Sequence, residues 1–389
     1  MTKPTQARII LPALKKNLSM IKSKVEELND QPVEIVPVVK ADAYGHGSIE
    51  VAKELVKLGM RWLAVSCLEE ATELKQAGVD KNIIILGPAD ESEIKEVVQR
   101  GFVQVISSND ELDLVESTFG SDRSLNKAEK AFQVILDVDT GMGRMGFLPE
   151  QMPEVSGRAK SISGIRISGI FSHLAAADST EKEDKDYTES QIKDFMVITK
   201  AMKKNNHDLE LISIANSAGI FLHPDSIMNA VRPGIALYGV KPNPDLDEPQ
   251  GLEPVMRWVT RIAQVRSLPS GTFVSYGRQT MLKRRSRIAL LPVGYADGLS
   301  RRIPPGFNLF TRGKPAPVTG VVTMDFTMID VTDVPEANPG DRVLIMGKDS
   351  QENAQVQVRA EDHAKAAGTI PYEILTSVGK RVKRVYLEE

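Results

Sequence analysis

Short apolar runs alternate with amphipathic segments through the first 240 residues of the chain. The runs are mostly apolar rather than alternating between apolar and polar residues, which is typical of parallel strands buried on both faces. Strands are predicted at Val33–Val39, Leu63–Ser66, Ile83–Leu86, Val103–Ile106, Phe132–Val138, Ile167–Phe171, Leu211–Ala215 and Ala230–Leu237. Helices are predicted between them at Ser48–Leu58, Leu68–Gln76, Glu91–Arg100, Asp110–Ser117 and Glu189–Lys204. This order favours an α/β fold with a (β/α)8 TIM-type barrel. A doubly wound sheet is the alternative, because counting strands does not prove closure.

The pattern changes after Pro242-Asn243-Pro244-Asp245, where the prolines indicate a linker. Beyond it the apolar runs are shorter and are separated by Pro and Gly turns, which predicts a mostly β domain. These runs are Arg261–Val265, Thr272–Ser275, Arg287–Leu291, Pro317–Val322, Thr327–Val331, Arg342–Met346 and Arg381–Tyr386. We therefore expect a barrel domain over residues 1–245 and a β-rich C-terminal domain over residues 246–389.

Composition narrows the class of protein. The 389 residues include 49 Lys and Arg against 52 Asp and Glu, so no basic excess favours nucleic acid or anionic lipid as a partner. The single cysteine, Cys67, cannot form an intrachain disulfide, which fits a reducing compartment. The sequence begins without the apolar stretch of a signal peptide and contains no long apolar span. We expect a cytoplasmic protein without a membrane or nucleic-acid partner.

A lysine follows the first predicted barrel strand. Functional groups of a barrel gather at the carboxyl ends of its strands, where Lys40 would lie. An isolated lysine at such a position is usually only an exposed side chain. The small, turn-forming residues 41–47, which include Tyr44, favour instead a desolvated amine with a lowered pKa. Such an amine is suited to covalent chemistry with a carbonyl group.

A glycine-rich turn follows the fifth predicted strand. Gly141, Gly143 and Gly146 match the G-x-G-x-x-G pattern of dinucleotide-binding sites. Pro149, however, lies where the following helix should begin, and this context argues against a dinucleotide site. We interpret the segment as a close-packed turn that presents Arg144 to an anionic oxygen of a substrate or cofactor.

The last two predicted strands end in residues suited to binding phosphate. Asn216-Ser217 and Arg232-Pro233-Gly234-Ile235 lie where TIM barrels frequently bind a phosphate group, although ordinary turn chemistry also explains them. A phosphate site and a strand-end lysine in one barrel indicate pyridoxal 5'-phosphate (PLP). The histidines lack the spacing of metal ligands, so no metal site is expected.

Together these motifs resemble those of the alanine racemases, a family of fold-type III PLP enzymes. The matching segments are residues 38–47, 138–146, 171–174, 216–218 and 232–239, followed by residues 274–277, 292–298, 324–325 and 369–373. The resemblance covers nearly the whole chain. The later segments are absent from single-domain PLP homeostasis proteins.

The resemblance implies a role for each matching residue. Lys40 would bind PLP covalently and act as one acid/base, and Tyr276 of the partner subunit in a homodimer would act on the opposite face. The implied cofactor-binding residues are Lys40, Tyr44, Arg144, His173, Asn216, Ser217, Arg232, Gly234, Ile235 and Tyr372. The implied substrate-binding residues are Arg144, Met324, Tyr295 and Asp325. Arg232 would face the pyridine nitrogen and keep it unprotonated, because a guanidinium does not readily release its proton.

Two positions depart from the pattern of the family. Asp137 stands where the family often has a carbamylated lysine, and Thr323 stands where it often has a cysteine. We expect an ionised Asp137 to hold Arg144 through a hydrogen bond, directly or through one water, although a merely polar strand end is the alternative. Because Thr323 would adjoin the substrate pocket, it opens the question of side-chain preference.

The resemblance implies PLP-dependent interconversion of L-alanine and D-alanine, which would supply D-alanine for peptidoglycan. Three alternatives remain at this point. One is a racemase of broader or different preference, for example for serine or lysine. A fold-related amino-acid decarboxylase is less consistent with the tyrosine arrangement. A non-catalytic PLP carrier would keep Lys40 but would not need Tyr276.

Overall fold

The computed structural model describes residues 4–29, 31–121, 131–205, 208–243 and 251–388. Within these ranges the strands, in chain order, are β1 (Gln6–Ile10), β2 (Glu34–Ile35), β3 (Trp62–Val65), β4 (Asn82–Ile85), β5 (Val103–Ile106), β6 (Phe132–Asp137), β7 (Ile165–Phe171), β8 (Leu211–Ser213), β9 (Ala230–Val231), β10 (Met256–Arg261), β11 (Gln264–Leu268), β12 (Phe273–Val274), β13 (Thr280–Met281), β14 (Ser286–Leu291), β15 (Asn308–Thr311), β16 (Lys314–Pro317), β17 (Thr327–Asp330), β18 (Arg342–Gln351), β19 (Ala354–Val358) and β20 (Lys383–Leu387). The right-handed helices are Leu11–Leu28, Ser48–Lys57, Leu68–Gln76, Ile94–Arg100, Asn109–Ser121, Met152–Ser161, Lys182–Lys204, Ser217–Leu222, Ala360–Ala367 and Pro371–Ser377. None of the described helices is long and apolar enough to cross a membrane.

Strands β3 to β8 form one parallel sheet in sequence order, and β2 pairs in parallel with β9. Backbone hydrogen bonds join the two sheets at both edges. The Val39 N–H donates to Ala64 O at 2.8 Å next to β3, and the Arg232 N–H donates to Ala215 O at 3.0 Å after β8. The parallel strands therefore close into a ring, and the prediction of a (β/α)8 barrel is confirmed. All four residues of β3 and of β5 are buried, as their apolar sequences predict.

Several predicted strands are longer than the observed ones. The run Ala230–Leu237 is a strand only to Val231, because Pro233 and Gly234 turn the chain into a 3-10 turn at Ile235–Tyr238. The run Arg261–Val265 spans the junction between β10 and β11 instead of forming one strand. The helices Ala360–Ala367 and Pro371–Ser377 are absent from the prediction, since short apolar stretches do not distinguish helix from strand.

The C-terminal part is mostly β, as predicted. Its largest sheet has the order β16-β15-β18-β10-β1-β20, with β19 paired to β18. Strand β1 pairs antiparallel with β10 and parallel with β20, so the start of the chain belongs to this sheet and not to the barrel. The prediction that residues 6–10 belong to the barrel domain is therefore wrong, because the strand pairing places them in the C-terminal sheet. The division near residue 245 stays a prediction, because residues 244–250, which include the second half of the predicted linker, lie outside the described residues.

Candidate active site

Lys40 begins a turn of unusual handedness at the carboxyl end of the first barrel strand. The next four residues, Ala41 to Tyr44, have φ values of +52° to +55°. A left-handed turn of this kind costs roughly 1–2 kcal/mol per residue for L-amino acids. Hydrogen bonds offset part of that cost: the Ala41 N–H donates to Glu70 Oε1 at 2.7 Å, and the Ser48 N–H donates to Asp42 Oδ1 at 2.8 Å. The turn therefore holds the Lys40 backbone in a defined position.

The C-terminal part of the same chain packs against this turn. The Arg384 guanidinium donates to Gly45 O through Nη2 at 2.9 Å and through Nε at 3.1 Å. Gly47 has φ +93°, and a Cβ built there would lie 1.8 Å from Tyr386 Oη. A larger residue would be strained at this φ and would displace the Tyr386 hydroxyl, so β20 packs directly against the loop that carries Lys40.

The surroundings of Lys40 favour its neutral amine. Burial lowers the pKa of Lys40, the positive charge of Arg144 lowers it further, and the nearby Glu70 partly opposes both. A neutral amine is the nucleophilic and proton-accepting form of a lysine. The predicted lowering of this pKa is therefore consistent with the structure.

Arg232 is buried at the end of β9 with only 6% of its surface exposed. Its guanidinium donates to two backbone carbonyls, to Ser213 O at 2.6 Å and to Ser172 O, and it lies 4.4 Å from the centre of the Phe171 ring. Burial lowers the pKa of Arg232 to about 10, although the nearby Asp137 carboxyl opposes this shift. The side chain is fixed as a donor and remains protonated at neutral pH.

His173 lies at the end of β7 in a strongly positive environment. Burial, with the charges of Arg232, Arg144 and Lys40, lowers the pKa of His173 to about 3. Its imidazole is therefore neutral at physiological pH. The effect of the Arg232 charge places His173 near Arg232, another implied cofactor-binding residue.

The predicted phosphate-binding residues come together at the ends of β8 and β9. Ser217 Oγ accepts the Gly234 N–H at 2.9 Å and the Ala236 N–H at 3.3 Å. A Cβ built on Gly234 would lie 2.4 Å from Tyr44 Oη, so only glycine permits the approach of that phenol. Asn216 instead caps the helix Ser217–Leu222, where its Oδ1 accepts the Gly219 N–H at 3.0 Å.

Two phenols from distant parts of the chain meet beside this group. The Tyr44 and Tyr372 ring centres are 6.1 Å apart, and Tyr372 lies in the helix Pro371–Ser377. Burial raises the pKa of Tyr44 above its usual range and that of Tyr372 to about 12. Both phenols therefore keep their protons at neutral pH and can donate a hydrogen bond to an anion.

The glycine-rich turn presents Arg144 to solvent. Asp139 shapes this turn, since its carboxylate accepts the N–H groups of Gly141 and Gly143 at 2.9–3.1 Å. Among the described residues, no direct hydrogen bond or ion pair joins Asp137 to Arg144, so the direct form of the predicted contact is wrong. Asp137 packs instead against Gly146, and burial raises its pKa to about 7 against the opposing charges of Arg232 and Arg144.

Apart from Tyr372, the site residues predicted in the C-terminal part lie at its surface. Tyr276 is 70% exposed, Met324 is 54% exposed and Tyr295 is 42% exposed. The Tyr295 N–H donates to Thr323 O at 3.0 Å, which places Tyr295 beside the loop of Met324. Asp325 accepts a hydrogen bond from Arg381 Nη2 at 2.6 Å. These side chains lie on the exposed surface of the C-terminal part. Among the described residues, none of them forms a hydrogen bond with the side chains of the barrel mouth.

Sequence reasoning missed several supporting residues. Tyr238 stacks on Tyr44 with ring centres 4.8 Å apart and donates a hydrogen bond to Val38 O at 2.9 Å. Glu70 bridges two strand ends, because it accepts both the Ala41 and the Ser66 N–H groups. Glu70 lies in the first turn of a helix that follows a strand, a place from which a carboxylate can reach the preceding backbone. Tyr238 carries no comparable signal in the sequence.

The fold and the site define a barrel protein whose mouth combines a desolvated lysine, a buried arginine and a serine-glycine anion cradle. Comparison with known families agrees with this description. Residues 9–242 match the family model of the alanine racemase N-terminal domain, and residues 255–386 match that of the C-terminal domain. The chain belongs to the alanine racemase family, and the prediction of an isomerase-class enzyme is confirmed at that level.

Individual relatives match along almost their whole length. The alanine racemase of Halothermothrix orenii is 38% identical over 385 residues, which cover 99% of this chain and 97% of the relative. Among solved structures, the alanine racemase of the D-cycloserine producer Streptomyces lavendulae is 31% identical, with a TM-score of 0.89 and coverage of 100% of this chain and 98% of that one. The alanine racemase of Bacillus anthracis with bound L-Ala-P is 30% identical, with a TM-score of 0.87 and coverage of 100% and 96%.

Proposed function

We propose that this protein interconverts L-alanine and D-alanine with PLP as its cofactor. The observation that carries the proposal is the environment of Lys40, an amine whose pKa is lowered at the mouth of a barrel that also holds Arg232 and an anion cradle. PLP supplies an electron sink that acidifies the Cα–H of a bound amino acid. Membership of the alanine racemase family supports alanine as the substrate.

The described residues fit PLP. Lys40 would hold its aldehyde carbon covalently, and Arg232 would face its pyridine nitrogen. Ser217, Gly234 and the backbone at Ile235 would bind the phosphate, together with the protonated hydroxyls of Tyr44 and Tyr372. The cradle supports this assignment, because the glycine at position 234 leaves the Tyr44 hydroxyl and the backbone N–H groups close together. Arg144 and Asn216 would complete the cofactor contacts.

The proposed reaction needs two proton-transferring groups on opposite faces of the substrate Cα. Lys40 Nζ would remove or return the proton on one face, a task for which its neutral form is required. Tyr276 of the partner subunit would do the same on the other face. Arg232 would keep the pyridine nitrogen unprotonated, because its guanidinium, held by two backbone carbonyls, does not readily release a proton to a ring nitrogen.

The positions of these groups support a homodimer with shared sites. Tyr276, Tyr295 and Met324 are exposed on one chain, whereas Lys40 and Arg232 lie in the barrel mouth. Covering the exposed phenols with the barrel mouth of a second copy would bury apolar surface and complete each site. Tyr295 and Asp325 would then narrow the entrance, and Met324 would contact the substrate beside Arg144.

Thr323 bears on the choice among amino acids. Its hydroxyl donates to Phe326 O at 2.8 Å and accepts the Phe326 N–H at 3.2 Å. Because its own turn uses the hydroxyl proton and one lone pair, Thr323 has no proton left to donate to a polar substrate such as serine. This favours alanine over the alternative of a racemase specific for a polar amino acid.

The test measures racemisation of L-alanine, L-serine and L-lysine by the purified protein loaded with PLP, followed by borohydride reduction and peptide mapping. We expect D-alanine as the main product and the reduced adduct on Lys40. Lys40→Ala should lose both, whereas the exposed Lys53→Ala should keep both. An adduct on another lysine, or racemisation that survives Lys40→Ala, would contradict the proposal.

The physiological role is a separate part of the proposal. We propose that the enzyme works in the cytoplasm and supplies D-alanine for peptidoglycan. Expression of the chain in a bacterium that requires D-alanine should restore growth without the supplement, and Lys40→Ala should not. Growth failure with an enzyme that is active in vitro would remove the biosynthetic role and leave the chemistry intact.

A further inference from the structure

A buried amide from an outer helix reaches the strand ends that carry Arg144 and His173. Gln191 lies in the helix Lys182–Lys204 and is 1% exposed. Its Oε1 accepts the Ala175 N–H at 2.9 Å, and its Nε2 donates to His173 O at 3.0 Å and to Thr140 Oγ1 at 3.4 Å. These contacts use both N–H donors and the acceptor of the amide. Among side chains of this size only glutamine satisfies them together.

The network continues from Gln191 to the buried arginine. Thr140 Oγ1 lies 2.8 Å from Ser172 Oγ, and it can donate its proton there because it already accepts the Gln191 N–H. The carbonyl of Ser172 in turn accepts a hydrogen bond from Arg232. Thr140 is 9% exposed and Ser172 is 1% exposed, so water does not compete freely for these contacts. The turn that carries Arg144 is thereby connected to Arg232.

The same helix contacts the Arg144 turn at a second point. Tyr187 precedes Gln191 by four residues, so the two side chains lie on one face of the helix. The Tyr187 hydroxyl donates to Gly141 O at 2.7 Å, and a Cβ built on Gly141 would lie 2.4 Å from that hydroxyl. The helix therefore holds the turn by one buried and one half-exposed side chain.

We propose that Gln191 is a positioning residue that sets the distance between the Arg144 turn and the His173–Arg232 side of the barrel mouth. This inference rests on the proposed function, in which Arg144 binds the substrate carboxylate and Arg232 faces the cofactor. Gln191 itself would contact neither the substrate nor the cofactor. When the hydrogen bonds of Gln191 are lost, the Arg144 turn can move. The KM for alanine should then rise by a larger factor than kcat falls.

Two substitutions of similar size separate this role from general destabilisation. Gln191→Met removes all three hydrogen bonds, and we expect KM for alanine to rise about tenfold with a smaller change in kcat. Gln191→Glu places a carboxylate against the carbonyl of His173, which repels it when ionised. The protonated acid can donate to that carbonyl, and burial favours the protonated form. The Gln191→Glu defect should therefore shrink as the pH falls, whereas the Gln191→Met defect should not.

Hydrogen exchange provides a readout that does not depend on activity. The Ala175 N–H is protected through Gln191 Oε1, so Gln191→Met should exchange faster at Ala175 and along residues 139–146. The control is Gln351→Met in the C-terminal sheet, which also removes a buried glutamine that bonds to Gly313 N and Asp349. This control should lower Tm without changing KM or exchange at Ala175. Tyr187→Phe, which removes one hydroxyl, gives a milder form of the Gln191 effect if Gln191→Met does not fold.

The outcomes separate the two proposals. A wild-type protein that does not racemise alanine would overturn the proposed function, while exchange at Ala175 would still test the network. A Gln191→Met protein with wild-type KM and wild-type exchange would overturn the positioning role. The positioning role would also be overturned if the Gln191→Glu defect did not change with pH and Tyr187→Phe had an unchanged KM for alanine.

Discussion

The barrel mouth encloses its polar groups, whereas the C-terminal surface leaves them open. Arg232 is 6% exposed and bonded to two carbonyls, and Tyr44 is 8% exposed between two other phenols. Tyr276, by contrast, is 70% exposed, and Met324 is 54% exposed. Burial and fixed partners shift the pKa values of the barrel groups away from their usual ranges. The contrast shows that the barrel half is organised within one chain, and under the proposed function the C-terminal half would be completed by a second subunit.

This difference separates two kinds of contribution to the proposed catalysis. A preorganised donor such as Arg232 costs no reorganisation when the substrate binds. An exposed phenol gains its position only when another surface covers it. Variants of the barrel half should therefore change cofactor binding in a single chain, whereas variants of the C-terminal half should act through subunit assembly.

Tyr276→Phe is expected to have the largest effect on the C-terminal half. A general acid or base typically contributes about 10²–10⁴-fold to a rate, so removal of the hydroxyl should lower kcat for L-alanine by a factor in that range. PLP binding, measured by absorbance titration, should change little. Tyr187→Phe offers a contrast, because it removes a hydroxyl that holds the Arg144 turn and should raise KM for alanine mildly without a comparable loss of kcat.

The same variant tests whether the sites are shared. Mixing Tyr276→Phe with Lys40→Ala chains should restore part of the activity, because one of the two sites in a heterodimer would contain both wild-type groups. Subunit exchange must be verified independently, for example by mass spectrometry of the native dimer. Proven exchange without recovered activity would mean that each chain builds its own complete site.

Gly234→Ala should produce an intermediate effect on the barrel half. Its Cβ would lie 2.4 Å from Tyr44 Oη, so the phenol or the cradle must shift. Overpacking of this kind typically costs about 1–3 kcal/mol, which corresponds to PLP binding that is weaker by a factor of roughly 5 to 100. Gly157→Ala is the control, since no heavy atom lies within 4 Å of a Cβ built there. Equal PLP affinity of both variants would remove Gly234 from the cradle.

The barrel strands were predictable because strands buried on both faces leave long apolar runs. The predicted bounds of β3 to β7 agree with the observed ones within about two residues at each end, as expected for strand boundaries. The position of strand β1 in the C-terminal sheet could not be predicted from the sequence, because its partners β10 and β20 lie more than 240 residues away along the chain. Periodicity describes a local segment and carries no information about which sheet accepts it.

The candidate site divides in the same way. Lys40, Ser217 and Arg232 were found because each lies at the end of a buried strand, and the structure brings their surroundings together. The left-handed turn after Lys40 was missed, since its residues have no local preference for positive φ and tertiary contacts hold them there. The direct contact of Asp137 with Arg144 was wrong, because adjacency at a strand end does not determine where a short carboxylate can reach.

Asp137→Asn should give the smallest effect and is the sharpest test of the barrel half. Burial raises the pKa of Asp137 to about 7, so the wild-type carboxyl is neutral below that pH and resembles asparagine there. Above it, the charge can act on Arg144 through a water. We expect kcat/KM of the wild type and the variant to agree near pH 6 and to separate by several-fold near pH 8. A ratio that is constant with pH would exclude a role for the charge of Asp137.

Asp137→Asn should raise the free energy of unfolding at high pH, although it should lower kcat/KM there. Because the pKa of Asp137 rises from 3.8 to about 7 on folding, the native state binds more protons than the unfolded state between these values. The wild type therefore loses stability as the pH rises through this window, by up to about 1.4 kcal/mol per pH unit, and asparagine does not. Urea unfolding should show Asp137→Asn to be the more stable protein at pH 8, with the difference vanishing near pH 4. A variant that is less stable at pH 8 would mean that Asp137 is ionised and stabilised by the charges of Arg232 and Arg144 in the native barrel, which would contradict the raised pKa of Asp137.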